Sequence, residues 1–381
     1  MSIFDEIVDR TVVDGEKWGR YEDKNVIPMW VADMDFKSPQ EIIDALQERV
    51  NHGVFGYTDV DRKTNQAVVD FLHRHYDWSI ESSWIVWLPG VVGGLNIACR
   101  TVQTKDVITT TPIYPHFVNA PRDANQNIIQ VPLKEKNNRW TIDFDEFEQA
   151  ITSTCKLFML CNPYNPGGTV FTKDELEKLS KICIEHDLVV CSDEIHADLI
   201  LNNEVKHTPI ASLNAEIAKR SITLLAPSKT FNIAGLQSSF AVIPDVRLRK
   251  SFRKTIGNQM SQINLLAITA TQTAYTSCDK WLYDLRDYLN TNQKIVQEFV
   301  KNEPKLKMLD QDATYLAWID VSALGLDNPY EYFLSYGVGL SEGDRFGDSN
   351  FVRLNFGTRK TLLKEGLEKM KKAIKVLQNV T

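Results

Sequence analysis

The stretch SITLLAPSKTFNIAGLQSSFAVIP, residues 221–244, places an apolar run, a lone lysine and a second apolar run in succession. The first run stops at Pro227, and Lys229 follows between Ser228 and Thr230. Near-continuous runs of Ile, Leu and Val suit strands buried on both faces, the habit of parallel sheets covered by helices. A primary amine where such a strand stops, with hydroxyls on either side, therefore stands just beyond the carboxyl end of a sheet. Ligands bind at that rim in doubly wound folds.

Working outward, similar runs recur between about residues 85 and 245: KDVITTTP, NIIQVPL, CKLFMLCNP, DLVVCSDE and, around the lysine, SITLLAPS and SSFAVIP. Helical patterns separate them. In TKDELEKLSKICIEHD, Thr172 and Glu175 form a capping box, and Leu176, Leu179 and Ile182 make an apolar stripe. Residues 246–300 read as long helices. The last eighty residues mix strand (TYLAWIDV, NFVRLNFG) with a final amphipathic helix, TLLKEGLEKMKKAIKVLQN. The fold class is α/β: a large domain with a mostly parallel, mixed sheet between helices, plus a smaller α+β domain built from the N- and C-terminal segments. The expected division is 1–45 for an N-terminal segment joining the small domain, 46–285 for the large domain and 286–381 for the small one.

Composition narrows the function. The chain has 381 residues, enough for two domains, with 43% hydrophobic and 24% charged residues and a net charge of −7. A net negative charge disfavours nucleic-acid and membrane-surface partners, both of which favour basic patches. Its six cysteines show no CxxC pair and sit mostly in apolar runs, so they read as reduced core residues, with no metal site. MSIFDEIVDR has neither the basic nor the apolar region of a leader. The expectation is a cytoplasmic enzyme.

The residues past each strand form a set. VITTTP is followed by Tyr114, LFMLC by Asn162-Pro163-Tyr164-Asn165-Pro166-Gly167-Gly168, LVVCS by Asp193-Glu194-Ile195-His196, and TLLAPS by Lys229. An aromatic, an amide, a carboxylate and an amine would converge on one rim. Upstream, WIVWLPGVVGGLNIACR carries Gly90, Gly93 and Gly94 before a helix-like segment, which reads equally as a structural turn or as a phosphate site at a helix start. An amine, a carboxylate beside a ring nitrogen, an aromatic plate and a phosphate cradle together suit pyridoxal phosphate chemistry.

In the order Gly-rich turn, TPIYP, NPYNPGG, SDEIH, SKTFNIAGLQ and FVRLNFG, the chain resembles the fold-type I pyridoxal-phosphate enzymes of the aspartate aminotransferase superfamily. WVADMDF, VFGYT, PGVVGGL and SDEIHADL make it resemble more closely the MalY/PatB group of cystathionine β-lyase-like C–S lyases. His196 is one pointer, standing where the broad aminotransferase relatives usually carry Tyr. The resemblance implies that Lys229 is the Schiff-base lysine, Asp193 partners the pyridine nitrogen, Asn165 donates to the ring hydroxyl and Tyr114 stacks on the ring. It implies that Val91 and Val92, through backbone N–H groups, hold the phosphate with Ser228, and that Tyr57 reaches the phosphate of a neighbouring subunit in a homodimer with shared active sites. Arg353 would bind the substrate α-carboxylate, helped by the Ala32 backbone, while His196 either contacts the ring oxygen or fills space.

Two positions depart from the family pattern. Ala226 and Gln237 stand where Ser and Arg commonly bind phosphate, which shifts that duty to main-chain dipoles, Ser228, Thr230 and the neighbour's Tyr57. The activity implied is β-elimination from an L-amino acid with a sulfur leaving group, such as L-cystathionine, in methionine biosynthesis. An aminotransferase uses the same residues and is the first rival. A protein that binds a transcriptional regulator, as some relatives do, is the second.

Overall fold

Seven strands make the central sheet: β1 (Ile85–Leu88), β2 (Asp106–Thr111), β3 (Asn127–Pro132), β4 (Cys155–Cys161), β5 (Val189–Asp193), β6 (Ser221–Leu225) and β7 (Ser239–Val242). The computed structural model describes residues 2–11, 15–21, 25–257 and 259–380. The spatial order is β1-β7-β6-β5-β4-β2-β3. From β3 to β6 the neighbours are parallel, and β7 runs antiparallel to both β6 and β1. All five residues of β6 are buried, as its unbroken apolar run requires of a strand covered on both faces. The predicted runs each contain a strand. The IVWL run that opens the Gly-rich stretch is β1, the edge partner of β7.

Helices cover the sheet, among them α1 (Val91–Val102) and α2 (Lys173–Glu185). The Thr172 hydroxyl accepts from the Glu175 N–H at 3.2 Å, and the Glu175 carboxylate accepts from the Thr172 N–H at 2.8 Å. That reciprocal box fixes where α2 begins, and Leu176, Leu179 and Ile182 then face the core. Such a cap is worth ~1 kcal/mol.

Beyond the long helix α3 (Asp279–Lys301) lies a second, antiparallel sheet of β8 (Leu316–Asp320), β9 (Ser341–Glu342) and β10 (Phe351–Asn355), ordered β8-β10-β9. The chain closes with helix α4 (Lys360–Val380). The N-terminal segment joins this part of the molecule by pairing Ile27–Pro28 with Val338–Gly339 in parallel. Among the described residues no helix is long and apolar enough to cross a membrane.

Candidate active site

Strand register brings the site together. Cys161 pairs with Asp193, and Asp193 with Leu224, so the segments that follow β4, β5 and β6 leave the sheet at one level. Asn165, Asp193 and Lys229 all lie within a few residues of those ends. They line a cavity of about 550 Å³ together with Tyr114, His196 and Arg353. Val91, Val92 and Ala32 line the same cavity.

Asp193 is the most informative of them. Its carboxylate is buried and accepts one hydrogen bond, from the Ile195 N–H at 3.1 Å. Burial, with the charge of Glu194 adding to it, pushes its pKa up to about 7, against the pull of Ile195 and Lys229. The adjacent Glu194 differs: its carboxylate turns away from the cavity and meets the Ser192 hydroxyl at 2.8 Å and His207 Nε2 at 2.7 Å. Of two neighbouring acids, one is satisfied by the protein and the other faces the cavity with no cation paired to it among the described residues. An unpaired buried carboxylate calls for a cationic N–H donor from a ligand.

Arg353 presents the opposite charge. It lies buried in β10, where its Nη1 donates to Asn165 Oδ1 at 3.0 Å and its Nη2 to the Trp30 carbonyl at 3.0 Å and Ser341 Oγ at 3.3 Å. The guanidinium also sits 4.5 Å over the Phe346 ring. Burial lowers its pKa to about 10, which leaves it cationic at neutral pH, and its Nε has no partner among the described residues. A buried guanidinium with no carboxylate paired to it among the described residues is a site for an anionic group of a ligand. Its bond to Asn165 occupies the amide oxygen and leaves the amide NH₂ free to donate.

Lys229 stands between these charges. Its Nζ donates to the Ala32 carbonyl at 2.7 Å, and burial lowers its pKa. A lowered pKa raises the fraction of free amine, the form that attacks an aldehyde or accepts a proton. His196 is buried, its Nδ1 has no partner among the described residues, and burial together with Lys229 and Arg353 lowers its pKa to about 3, so it is neutral. Burial raises the Tyr114 phenol, which stays protonated. At the start of α1, Gly90 has φ 155°, a conformation that favours glycine, and the N–H groups of Val91 and Val92 open the helix beside the cavity.

The donor set fits pyridoxal phosphate. A lone amine suits an aldehyde, the orphaned Asp193 carboxylate a protonated ring nitrogen, the free Asn165 amide a ring hydroxyl, and the α1 N-terminus a phosphate.

Other predicted residues lie elsewhere. Ser228 is buried next to Lys229 but outside the cavity lining, and Tyr57 is fully exposed on a different surface, beside Phe55 and Leu265. Thr230 is corrected as a phosphate ligand: its hydroxyl donates to the buried Asp198 carboxylate at 2.7 Å, so it is already engaged. Gln237 is exposed with φ 57°, and Ala226 is buried; neither lines the cavity.

Two asparagines went unread. Asn232 holds the Met34 N–H (3.1 Å), the Met34 carbonyl (3.0 Å) and the Phe36 carbonyl (2.7 Å), while Asn355 donates to the carbonyls of Val31 (2.5 Å) and Asp33 (2.8 Å). They clamp the WVADMDF loop, and with it the Ala32 carbonyl, against the lysine. Asn232, three residues after Lys229, adopts a left-handed φ of 56°, a conformation that Asn tolerates.

The chain belongs to the aminotransferase class I and II family, which matches residues 24–370. Within it, the chain is 39% identical over 385 residues to cystathionine beta-lyase PatB of Bacillus subtilis, covering 97% of this chain and 99% of that protein. The crystal structure of OvoB superposes with a TM-score of 0.95 at 42% identity, over 97% of this chain and 98% of that one. Cystalysin from Treponema denticola, whose crystal structure contains pyridoxal 5'-phosphate, superposes with a TM-score of 0.94 at 33% identity, over 98% and 99%.

Proposed function

We propose that this protein is a pyridoxal-phosphate-dependent carbon–sulfur β-lyase that converts L-cystathionine, or a related S-conjugate of L-cysteine, to a thiol, pyruvate and ammonia. The carrying observation is the partly buried Lys229 amine in one cavity with an unpaired buried carboxylate, Asp193, and an unpaired buried guanidinium, Arg353. The similarity to cystathionine beta-lyase PatB supports elimination as the outcome, and that to cystalysin supports the cofactor.

Lys229, Asp193, Asn165, Tyr114 and the N–H groups of Val91 and Val92 would hold the cofactor. When bound, it supplies an aldehyde for the substrate amine and a ring that accepts the electron pair left at the substrate Cα. Arg353 binds the substrate α-carboxylate, and its fixed fork orients the Cα–H bond. Lys229, once freed, takes the Cα proton, and the Cβ–S bond breaks with the thiolate as leaving group. Neutral His196 adds no competing cation next to Arg353. Net, L-cystathionine and water give L-homocysteine, pyruvate and ammonia. Tyr57 and Phe55, both exposed, would meet a second copy of the chain, so that a homodimer completes each phosphate site.

Holoenzyme given L-cystathionine without any keto acid should release pyruvate and homocysteine in equal amounts, and Lys229→Ala should abolish this turnover, a loss of at least ~10³-fold. Amino transfer that depends on 2-oxoglutarate, with no pyruvate from L-cystathionine, would overturn the reading in favour of an aminotransferase.

A further inference from the structure

The cavity runs outward from Lys229 to a mouth where two charged side chains stand without a partner. Glu16 and Arg345, with Trp30, line both the cavity and a neighbouring shallow depression. Both are exposed, and among the described residues neither forms an ion pair, with the other or with any third group. Arg20, which shares the depression, is engaged: its guanidinium lies 4.4 Å over the Trp30 ring and 3.8 Å from Glu342.

The backbones carrying the two charges are held firmly. Glu16 opens a one-turn helix, Glu16–Gly19, and the next two side chains are anchored underneath. Lys17 is fully buried, its Nζ 2.9 Å from Asp35 and 3.0 Å from the Asp33 carbonyl, and Trp18 Nε1 donates to Asp35 at 2.9 Å. The Lys17 carbonyl in turn accepts from Trp30 Nε1 at 3.1 Å. On the other side, Arg345 lies in the short turn Asp344–Phe346, where the Phe346 carbonyl accepts from the Ile113 N–H at 2.9 Å. The Phe346 ring carries Arg353 on its face. Arg345 therefore precedes the residue on which the inner guanidinium rests. Glu16 is among the charges whose field reaches Lys229, and Arg345 among those that reach Tyr114 and Arg353, in each case after burial itself.

We propose that Glu16 and Arg345 read the far end of the sulfur substituent, Glu16 receiving a distal ammonium and Arg345 a distal carboxylate. The preferred substrate is then an S-conjugate whose leaving thiol itself carries an amino-acid head group, in preference to a plain S-alkyl cysteine. The inference rests on the lyase reading. One guanidinium at the inner end takes the carboxylate next to the reacting carbon, and a second at the mouth, paired with an acid, matches a second zwitterion at the other end of an extended substrate. Opposite charges at a rim discriminate by attraction to the right group and by mismatch with the wrong one.

The test uses holoenzyme and three cysteine derivatives that differ only beyond sulfur: S-carboxymethyl-, S-(2-aminoethyl)- and S-methyl-L-cysteine, each assayed for pyruvate. Arg345→Gln should lower the kcat/KM ratio of carboxymethyl to methyl substrate about three- to thirtyfold, and Glu16→Gln should lower the aminoethyl-to-methyl ratio by a similar factor, the range for charged contacts partly open to solvent. Both effects should shrink as salt rises. Both ratios staying within about twofold of wild type in both variants would overturn the assignment. Wild-type enzyme that releases pyruvate from none of the three, nor from L-cystathionine, would overturn the lyase reading itself and this inference with it.

Discussion

The cavity has two walls of different origin. One is made by the ends of parallel strands and holds Asn165, Asp193 and Lys229: Asp193 is the last residue of β5, and the other two stand four residues past β4 and β6. The other is made by the small antiparallel sheet and the N-terminal segment, and its central residue, Arg353, sits in the middle of a strand. The first wall needs only that three neighbouring strands keep register, since Cys161, Asp193 and Leu224 then bring their following segments level. The second needs parts of the chain that are remote in sequence: Arg353 binds the Trp30 carbonyl across 323 positions and Asn165 across 188. On the proposed reading, chemistry at the cofactor ring would belong to the sheet wall, and substrate capture to the assembled wall.

That contrast can be broken most directly at Asp193. Asp193→Asn keeps the shape but removes the charge, and kcat should fall about 10²- to 10³-fold, the cost of losing a preorganised charge at a reacting centre. A loss below tenfold would mean that the sheet wall does not govern the chemistry.

The same residue makes a prediction for cofactor-free protein. Its folded pKa, about 7, lies above the ordinary 3.8, so between those values the folded state holds the proton more tightly than the unfolded chain. Stability must then fall as pH rises from about 4 to 7, by up to a few kcal/mol. Relative to cofactor-free Asp193→Asn, which cannot ionise, the cofactor-free wild type should melt at progressively lower temperature from pH 5 to pH 8. Equal shifts in the two proteins would show that Asp193 is not the strained group, and adding pyridoxal phosphate should remove most of the difference at pH 8.

The assembled wall is probed at Arg353. Arg353→Gln loses charge-assisted bonds to a carboxylate, worth about 1.5–3 kcal/mol, so kcat/KM should fall about ten- to hundredfold, chiefly through KM, with the cofactor spectrum unchanged. A fall confined to kcat would place Arg353 with the sheet wall instead.

Most of the sheet wall was legible because its information is local. A strand-like run states where the chain is buried, and the next few residues state what is presented at its end. The α2 cap was legible for the same reason, since Thr172 and Glu175 are three residues apart and satisfy each other. Reading failed where the partner lies elsewhere in the chain. Nothing near Thr230 announces that Asp198 takes its hydroxyl, and nothing near Asn355 that it clamps the loop at residues 31–33. The pairing of β1 with β7 joins segments about 150 residues apart, and the charges at the mouth, Glu16 and Arg345, are polar surface residues until the fold sets them on one cavity.

By itself the sequence determined the α/β class, the rim of the sheet and the lysine, carboxylate, amide and aromatic gathered there, because strand period and strand ends are short-range properties of the chain. Only the tertiary structure decided which of those groups stay unpaired. Burial leaves Asp193 with one backbone donor and raises its pKa, whereas Glu194, next in the chain, is satisfied by Ser192 and His207. Desolvation and hydrogen-bond supply are properties of a place in space, and two adjacent acids differ in them only once the chain has folded.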